Sequence, residues 1–142
     1  HIAGTIDLIS KTGNSYEMYD WKRSKKVVNS FNGEPIKNNQ WQNGVGQLSD
    51  IDDTSYNRYC LQQSLYKYIL EKNYGLKVSK MYLIVLYPEY DKYYKVEVPY
   101  LKDKAEYILR TLWKNNEGIT AVWQYGGFRL NLKMVLYLEN SH

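Results

Sequence analysis

The sequence has a single cysteine and no long run of apolar residues. One cysteine, Cys60, excludes an internal disulfide framework and a cysteine-based zinc site, and is typical of a protein in a reducing compartment. Its position inside a predicted helix indicates core packing. No apolar run approaches the roughly 20 residues that a membrane-spanning helix needs, and the first residues look like a strand rather than a signal peptide. We therefore expect a soluble, intracellular protein with no membrane partner.

The charge is not strongly of one sign. Nineteen basic residues stand against fifteen acidic ones, which gives a net charge of +4 and a pI near 9. This balance is compatible with a polyanionic partner but is also common in proteins that have none. The 142 residues are enough for one domain with one core. Sixteen tyrosines supply much of the hydrophobic fraction, and many of them should be half buried.

The first half of the chain predicts a hairpin, a long loop and a helix. Residues 2–10 are rich in β-branched side chains, and a turn signal separates them from a second strand over residues 15–22. Residues 23–53 are rich in Asn, Gly, Ser, Lys and Gln, which predicts a functional or mobile loop. Apolar residues recur at helical spacing over residues 56–74, with N-cap candidates before them and a glycine after them.

The second half predicts further strands and a second helix. Residues 80–88 form a nearly unbroken apolar run, as in a buried central strand, and residues 93–100 alternate like a neighbouring edge strand. A second amphipathic stripe covers residues 101–113, and residues 121–138 have the pattern of a last hairpin. The order β-β-α-β-β-α-β-β predicts an α/β fold with a mixed central sheet, whose strand order stays open.

Two carboxylates and a lysine occupy positions where they can meet. Side chains alternate along a strand, so Asp20 and Lys22 point to the same face. Asp7 interrupts the apolar series of the preceding strand, and the thirteen residues between it and Asp20 fold back through a short turn, which can bring the two together. An Asp-x-Lys tripeptide alone is more often a solvated strand face with a weak surface ion pair.

The chemistry of such a cluster favours a metal ion. Adjacent carboxylates repel each other and need a cation to stay charged. A hard divalent ion, Mg²⁺ or Mn²⁺, takes a few carboxylate oxygens together with waters and a substrate phosphate. The pKa of a metal-bound water falls, and Lys22 can orient that water or neutralise charge that develops on the pentavalent phosphorane. The three residues therefore predict hydrolysis of a phosphodiester bond.

Three motifs follow one another in the order G-x-x-D, D-x-K and Q-x-x-x-Y. They are carried by Gly4 and Asp7, by Asp20 and Lys22, and by Gln62 and Tyr66. In this order, and over residues 2–88, the chain resembles the RecB-like branch of the PD-(D/E)XK nucleases. The resemblance implies a restriction-endonuclease-like core, with a mixed central sheet flanked by helices, and a divalent-metal-dependent deoxyribonuclease activity.

The same resemblance implies roles for individual residues. Asp7, Asp20 and Lys22 would be the catalytic set, with Lys22 as the catalytic lysine. Asp7 and Asp20 would hold the metal ion, together with the backbone carbonyl of Trp21. The branch often adds an acidic residue or a histidine from an N-terminal helix, whereas this sequence begins at the first core strand. We therefore expect either a fragment without that helix or a domain that lacks it.

Further residues are candidates for substrate binding. Gln62 and Tyr66 would face the site or the substrate, and Arg58 lies one turn earlier on the same helix line. Ordinary polarity of a helix surface would give the same pattern. The segment after the D-x-K motif adds Ser24, Lys25 and Lys26. The two lysines could contact phosphates, and Trp41 could stack on a base, although a solvated loop fits these residues equally well.

Two more features have competing interpretations. His1 lies six residues before Asp7, nominally on the same strand face, and could reach the site, but a terminal residue is more often frayed. Residues 87–100 are rich in tyrosine and could suggest a base-stacking platform. Alternating Tyr and Val in a strand is more typical of sheet packing, so we interpret this stretch as structural.

The sequence thus predicts a metal-dependent nuclease that binds nucleic acid, with DNA favoured over RNA. Exonuclease or single-strand-specific action, and a place within a larger multidomain protein, are what the RecB-like resemblance implies. A second hypothesis is a module that keeps the nuclease fold and binds nucleic acid without cutting it. A third is a small interaction domain whose charged residues only decorate the surface. In that case Asp7 would not meet Asp20.

Overall fold

The computed structural model describes residues 7–39 and 46–112, with side chains as far as Arg110. Its strands and helices are β1 (Leu8–Thr12), β2 (Ser15–Arg23), α1 (Ser55–Tyr74), β3 (Val78–Leu86), β4 (Tyr94–Glu97) and α2 (Lys102–Tyr107). The fold is α/β, with one four-stranded mixed sheet and two helices. Residues 2–6 of the predicted first strand and the predicted hairpin at 121–138 lie outside the described residues.

The first two strands form the predicted antiparallel hairpin. Leu8 faces Tyr19 and Thr12 faces Ser15, so only two residues close the turn. One of them is Gly13, whose φ of 63° lies in the left-handed region that glycine adopts without steric cost. The turn is shorter than the sequence indicated, because β1 continues to Thr12.

The sheet has the order β1-β2-β3-β4. Because α1 carries the chain back across the sheet, β3 runs parallel to β2, while β4 returns antiparallel to β3. The observed β3 lies two residues before the predicted strand at each end, and β4 covers only the middle of its predicted span. Pro99, which has no N–H to donate, limits how far the ladder can continue.

Helix α1 follows the prediction closely. The hydroxyl of Thr54 accepts a hydrogen bond from the N–H of Asn57 at 3.1 Å, which caps the N-terminus, and Gly75 ends the helix with a φ of 66°. Cys60 is buried in the core, as expected. The second helix is shorter than predicted, because α2 passes into a π-helical turn, Ile108–Leu112.

Both helices lie on one side of the sheet, since α1 packs its buried side chains against inward-facing residues of β2 and β3. The main cluster includes Met18, Cys60, Ile69, Leu70, Met81, Leu83 and Val85. On the opposite face of the sheet, Leu8, Trp21 and Leu86 are each more than two-fifths exposed to solvent. Polar side chains of β2 that point inward therefore lie beneath α1.

The segment between β2 and α1 is more structured than the sequence predicted. Val27, Val28 and Leu48 are fully or almost fully buried, Val28 pairs with Pro35 in an isolated bridge, and Gly46–Leu48 forms a short 3₁₀ turn. Several of the scattered apolar residues of this segment are thus core residues, whereas Phe31 is exposed. Within the described residues, no helix is long and apolar enough to cross a membrane.

Candidate active site

Strand β2 places Asp20 on the inner face of the sheet. Met18 is fully buried and Asp20 is 8% exposed, whereas Trp21, which points the other way, is 43% exposed. This alternation is the one that the strand pattern predicted for Asp20 and Lys22. A carboxyl group that lies under a helix loses much of its hydration, and this burial sets its proton affinity.

Asp7 lies directly beside Asp20. The β1–β2 register pairs Leu8 with Tyr19, and one further step places Asp7 opposite Asp20. The two carboxyl groups share a hydrogen bond, and the backbone N–H of Trp21 donates to Asp7 Oδ2 at 2.9 Å. The N–H and C=O of a strand residue point towards the same neighbouring strand, so the Trp21 carbonyl faces the side on which Asp7 lies.

The two carboxyl groups differ in their affinity for a proton. Burial, followed by the hydrogen bond to Asp7, raises the pKa of Asp20 to about 7, although Lys22 opposes this shift. The pKa of Asp7 is lowered, chiefly because its carboxylate accepts the hydrogen bond from Asp20 and also accepts one from Trp21. In the absence of a bound cation, Asp20 is therefore the carboxyl group that takes up a proton first as pH falls, and Asp7 stays ionised to lower pH.

Lys22 completes the cluster from the same face of β2. Its Nζ lies 2.8 Å from Asp20 Oδ2 and 4.3 Å from the centroid of the Tyr59 ring on α1. Both partners of the ion pair are largely buried, unlike those of a solvated surface pair. Tyr59 was not among the residues that the sequence predicted for the site. Its spacing of three residues from Gln62 on the helix was the signal that could have identified it.

The two motif residues of α1 are hydrogen bonded to each other. Gln62 Nε2 donates to the Tyr66 hydroxyl at 2.8 Å. Burial raises the pKa of Tyr66 to about 12, and the negative charges of Asp20 and Asp7 contribute to this rise, so the hydroxyl lies within electrostatic reach of the pair. Because Gln62 satisfies the oxygen as an acceptor, the Tyr66 proton can be donated to another group.

Arg58 occupies a neighbouring cleft. Its Nε lies 2.6 Å from Asp53 Oδ1, and the two residues line a cleft of about 470 Å³ at the start of α1. Lys26 lines the same cleft. Arg58 and Lys26 therefore face the same cleft, and Arg58 directly precedes Tyr59 on α1. The role of Asp53 was not predicted from the sequence, because its pairing with Arg58 depends on how the chain enters α1.

The remaining candidates lie apart from the carboxylate pair. The Ser24 hydroxyl accepts a hydrogen bond from the N–H of Lys26 at 3.0 Å, which shapes the turn after β2. Lys25 pairs with Glu89 at 3.0 Å and lies over the Tyr87 ring. His1 and Trp41 lie outside the described residues.

The available donors match a small magnesium or manganese site. Within residues 7–39 and 46–112, no group of three or more histidine, cysteine, aspartate or glutamate side chains could hold a metal ion. Mg²⁺ is commonly bound by only one or two carboxylates, with waters and substrate phosphates completing its shell. Asp7 and Asp20 fit this requirement, and a divalent cation would offset the burial and the neighbouring carboxyl group that raise the pKa of Asp20.

No family model matches the chain, and neither a curated protein nor a solved structure shows significant similarity to it. What the site can do therefore follows from its own side chains. These are two carboxyl groups in contact, a lysine that pairs with one of them, and a nearby hydroxyl that can donate its proton. Such a set can bind a divalent cation and, through it, a phosphate group.

Proposed function

We propose that this chain is a divalent-metal-dependent nuclease of the PD-(D/E)XK superfamily, similar to its RecB-like branch, with a restriction-endonuclease-like core. It hydrolyses phosphodiester bonds of nucleic acid, with DNA favoured over RNA. The observation that carries the proposal is the direct contact of the Asp7 and Asp20 carboxyl groups, with Lys22 paired to Asp20. If the chain were an interaction domain whose charged residues were ordinary solvated surface residues, this buried cluster would have no explanation.

Each residue has a defined task in the reaction. Asp7 and Asp20 would hold Mg²⁺ or Mn²⁺ with the Trp21 carbonyl, and a bound ion would supply Lewis-acid chemistry to a water and to the scissile phosphate. Lys22 is already desolvated by Asp20 and Tyr59, so its charge acts strongly on a nearby phosphate. Its Nζ orients the attacking water or neutralises the charge that develops on the phosphate oxygens.

Substrate binding extends along the start of α1. The Tyr66 hydroxyl, fixed by Gln62, is able to donate to a phosphate oxygen. Lys26 and Arg58 face the adjoining cleft and supply positive charge for the next phosphate along the strand. Lys25 and Ser24 lie at the rim, at the point where the chain leaves β2.

A second candidate is a module that binds nucleic acid without cutting it. The observation in its favour is the small donor set, since the described residues provide only two carboxylates for the metal ion. The two candidates share the binding surface, and they differ in whether metal-dependent cleavage occurs.

The decisive measurement is cleavage of labelled single- and double-stranded DNA and RNA with Mg²⁺ or Mn²⁺. We expect cutting that EDTA stops, and that Asp20→Asn or Lys22→Ala slows by about a hundredfold or more. Lys72→Ala is the matched control, because Lys72 is an exposed lysine in the last turn of α1 whose Nζ donates to the Tyr68 hydroxyl at 3.0 Å. Its activity should equal that of the wild type.

The variants must also stay folded, which circular dichroism and thermal unfolding establish. Cutting that survives both EDTA and the Lys22→Ala substitution would argue against the proposed chemistry. If the wild type binds nucleic acid but does not cut it with either metal, the binding module is the correct function.

A further inference from the structure

Phe31 is a large apolar side chain held out in solvent. Its side chain is 99% exposed, so it contributes nothing to the core. The turn that carries it is nevertheless well ordered by hydrogen bonds: the N–H of Phe31 bonds to Asn29 Oδ1 at 2.9 Å, and the N–H of Gly33 bonds to the Asn29 carbonyl at 2.7 Å. The N–H of Asn29 in turn bonds to the Glu34 carbonyl at 2.8 Å. The fold thus fixes the backbone position from which this ring extends into solvent.

The turn is fixed to a group of tyrosines below it. The Tyr94 hydroxyl donates to the Ser30 carbonyl at 2.9 Å, and a Cβ on Gly33 would lie only 3.0 Å from the Tyr94 ring, so the turn packs closely on β4. Tyr90 meets Tyr94 edge to face, with centroids 5.4 Å apart. Between the turn and these rings lies a cleft of about 730 Å³. Its lining residues are Ser30, Phe31, Asn32, Gly33, Glu89, Tyr90, Asp91, Lys92 and Tyr94.

This cleft opens at the same edge of the sheet as the candidate active site. One wall is formed by residues that come after β2 in the chain, and the other by residues that come after β3. These two strands are parallel. Asp20 and Lys22 occupy the last part of β2. The turn that carries Phe31 and the carboxylate pair are thus both found towards the carboxyl ends of these parallel strands.

The charges around the cleft nearly cancel. Glu89 is paired with Lys25 at 3.0 Å, and Lys92, which lies over the Tyr94 ring, offsets Asp91. Phosphate attraction alone therefore gives this cleft little affinity. The exposed ring of Phe31 offers a different kind of contact, because base–aromatic stacking needs a free base face and depends little on charge. Bases in a duplex are already stacked on each other, so only unpaired bases can use this ring.

We propose that Phe31, with the cleft between it and Tyr90 and Tyr94, is a stacking site for unpaired nucleobases, which selects single-stranded nucleic acid. The polymer is identified through the proposed nuclease function, on which this inference rests. Residues 87–100, interpreted from sequence as structural, thus supply the floor of a binding site through their tyrosines. The ring on top comes from a turn that is distant in sequence.

The test measures equilibrium binding of fluorescein-labelled oligothymidine, a duplex of equal length and an abasic strand of equal length, all in EDTA so that nothing is cut. Phe31→Ala should weaken binding of oligothymidine by about fivefold to a hundredfold, which is the value of one stacked base. Binding of the abasic strand should not change. Phe31→Trp should keep wild-type affinity, and Phe31→Leu, apolar but without a π-face, should behave like Phe31→Ala.

Tyr74→Ala is the matched control. Tyr74 is another exposed aromatic residue, 45% exposed, but it lies where α1 leads into β3, at the opposite edge of the sheet. This variant should bind oligothymidine like the wild type. Because Phe31 makes no core contacts, Phe31→Ala should also unfold at the wild-type temperature.

Equal binding by wild type and Phe31→Ala, full affinity in Phe31→Leu, or an equal loss on the abasic strand would each overturn the stacking site. Metal-dependent cleavage by the wild type is measured separately. Cleavage with binding that does not depend on Phe31 overturns this inference alone. Phe31-dependent binding without cleavage overturns the nuclease and leaves the stacking site in place.

Discussion

At Asp20, burial and a neighbouring carboxylate act in the same direction and keep a proton on an acidic side chain near neutral pH. The pKa of about 7 has a consequence for stability in the absence of metal. In an unfolded chain the pKa of an aspartate is about 3.9. Between these two values the folded state binds a proton that the unfolded state has lost, so the free energy of unfolding falls as pH rises from about 4 to about 7, and then levels off.

Asp7 makes the opposite contribution to the pH dependence of the free energy of unfolding. Its lowered pKa stabilises the folded state above the unfolded pKa, and this contribution is lost as pH falls through the folded pKa, which lies below the Asp20 window. The pH range from about 5 to about 8 therefore reports on Asp20 rather than on Asp7.

We expect Asp20→Asn to remove the decline in the free energy of unfolding that Asp20 causes as pH rises. Because the amide does not titrate, the stability of the variant relative to the wild type in EDTA should rise between pH 5 and pH 8, by up to about 3 kcal/mol. The measurement is urea unfolding of both proteins across this pH range. Asp50→Asn, at an exposed carboxylate that pairs with Lys104, is the control and should follow the wild type. If the free energy of unfolding changed with pH in the same way for the wild type and for Asp20→Asn, the raised pKa of Asp20 would be refuted.

At the scale of elements, α1 was predictable from the sequence because its signals are local. The N-cap at Thr54, the apolar spacing and the glycine at 75 all lie within or next to the helix. The end of β4 was not predicted correctly, because it depends on contacts between distant segments. The N–H of Val98 still bonds to the Met81 carbonyl at 2.8 Å, although β4 itself has ended.

The site was predictable to a similar degree. Strand alternation is local, so the shared face of Asp20 and Lys22 followed from the sequence. The position of Asp7 required the exact hairpin register, which a two-residue turn sets. The Tyr59 ring under Lys22 and the turn that presents Phe31 depend on packing between elements, which periodicity does not encode.

The N-terminal cap of α1 gives a test at this scale. Thr54→Ala removes the oxygen that accepts from the N–H of Asn57, and should lower the free energy of unfolding by about 1 kcal/mol. Thr54→Ser keeps that oxygen and should lose much less. Urea unfolding measures both variants. Equal losses in the two would show that the methyl group, rather than the cap, provides the stabilisation.

At the scale of the whole molecule, the parallel pairing of β2 and β3 joins the candidate site to the core. In this pairing Asp20 lies beside Leu83, and both side chains lie beneath α1. Met18 and Met81 form the preceding pair on the same face of these two strands. The apolar residues that hold the sheet against α1 are thus the ones that exclude water from Asp20 and raise its pKa.

This arrangement makes Leu83 a sensitive position. Leu83 is fully buried, so Leu83→Ala should create a cavity and lower the free energy of unfolding by about 2–5 kcal/mol. Leu86 lies on the same strand but is 42% exposed, so Leu86→Ala should cost less than about 1 kcal/mol. Urea unfolding with an unchanged denaturant slope measures both values. Equal losses at the two positions would contradict the position of the core among the described residues, which is on the α1 side of the sheet.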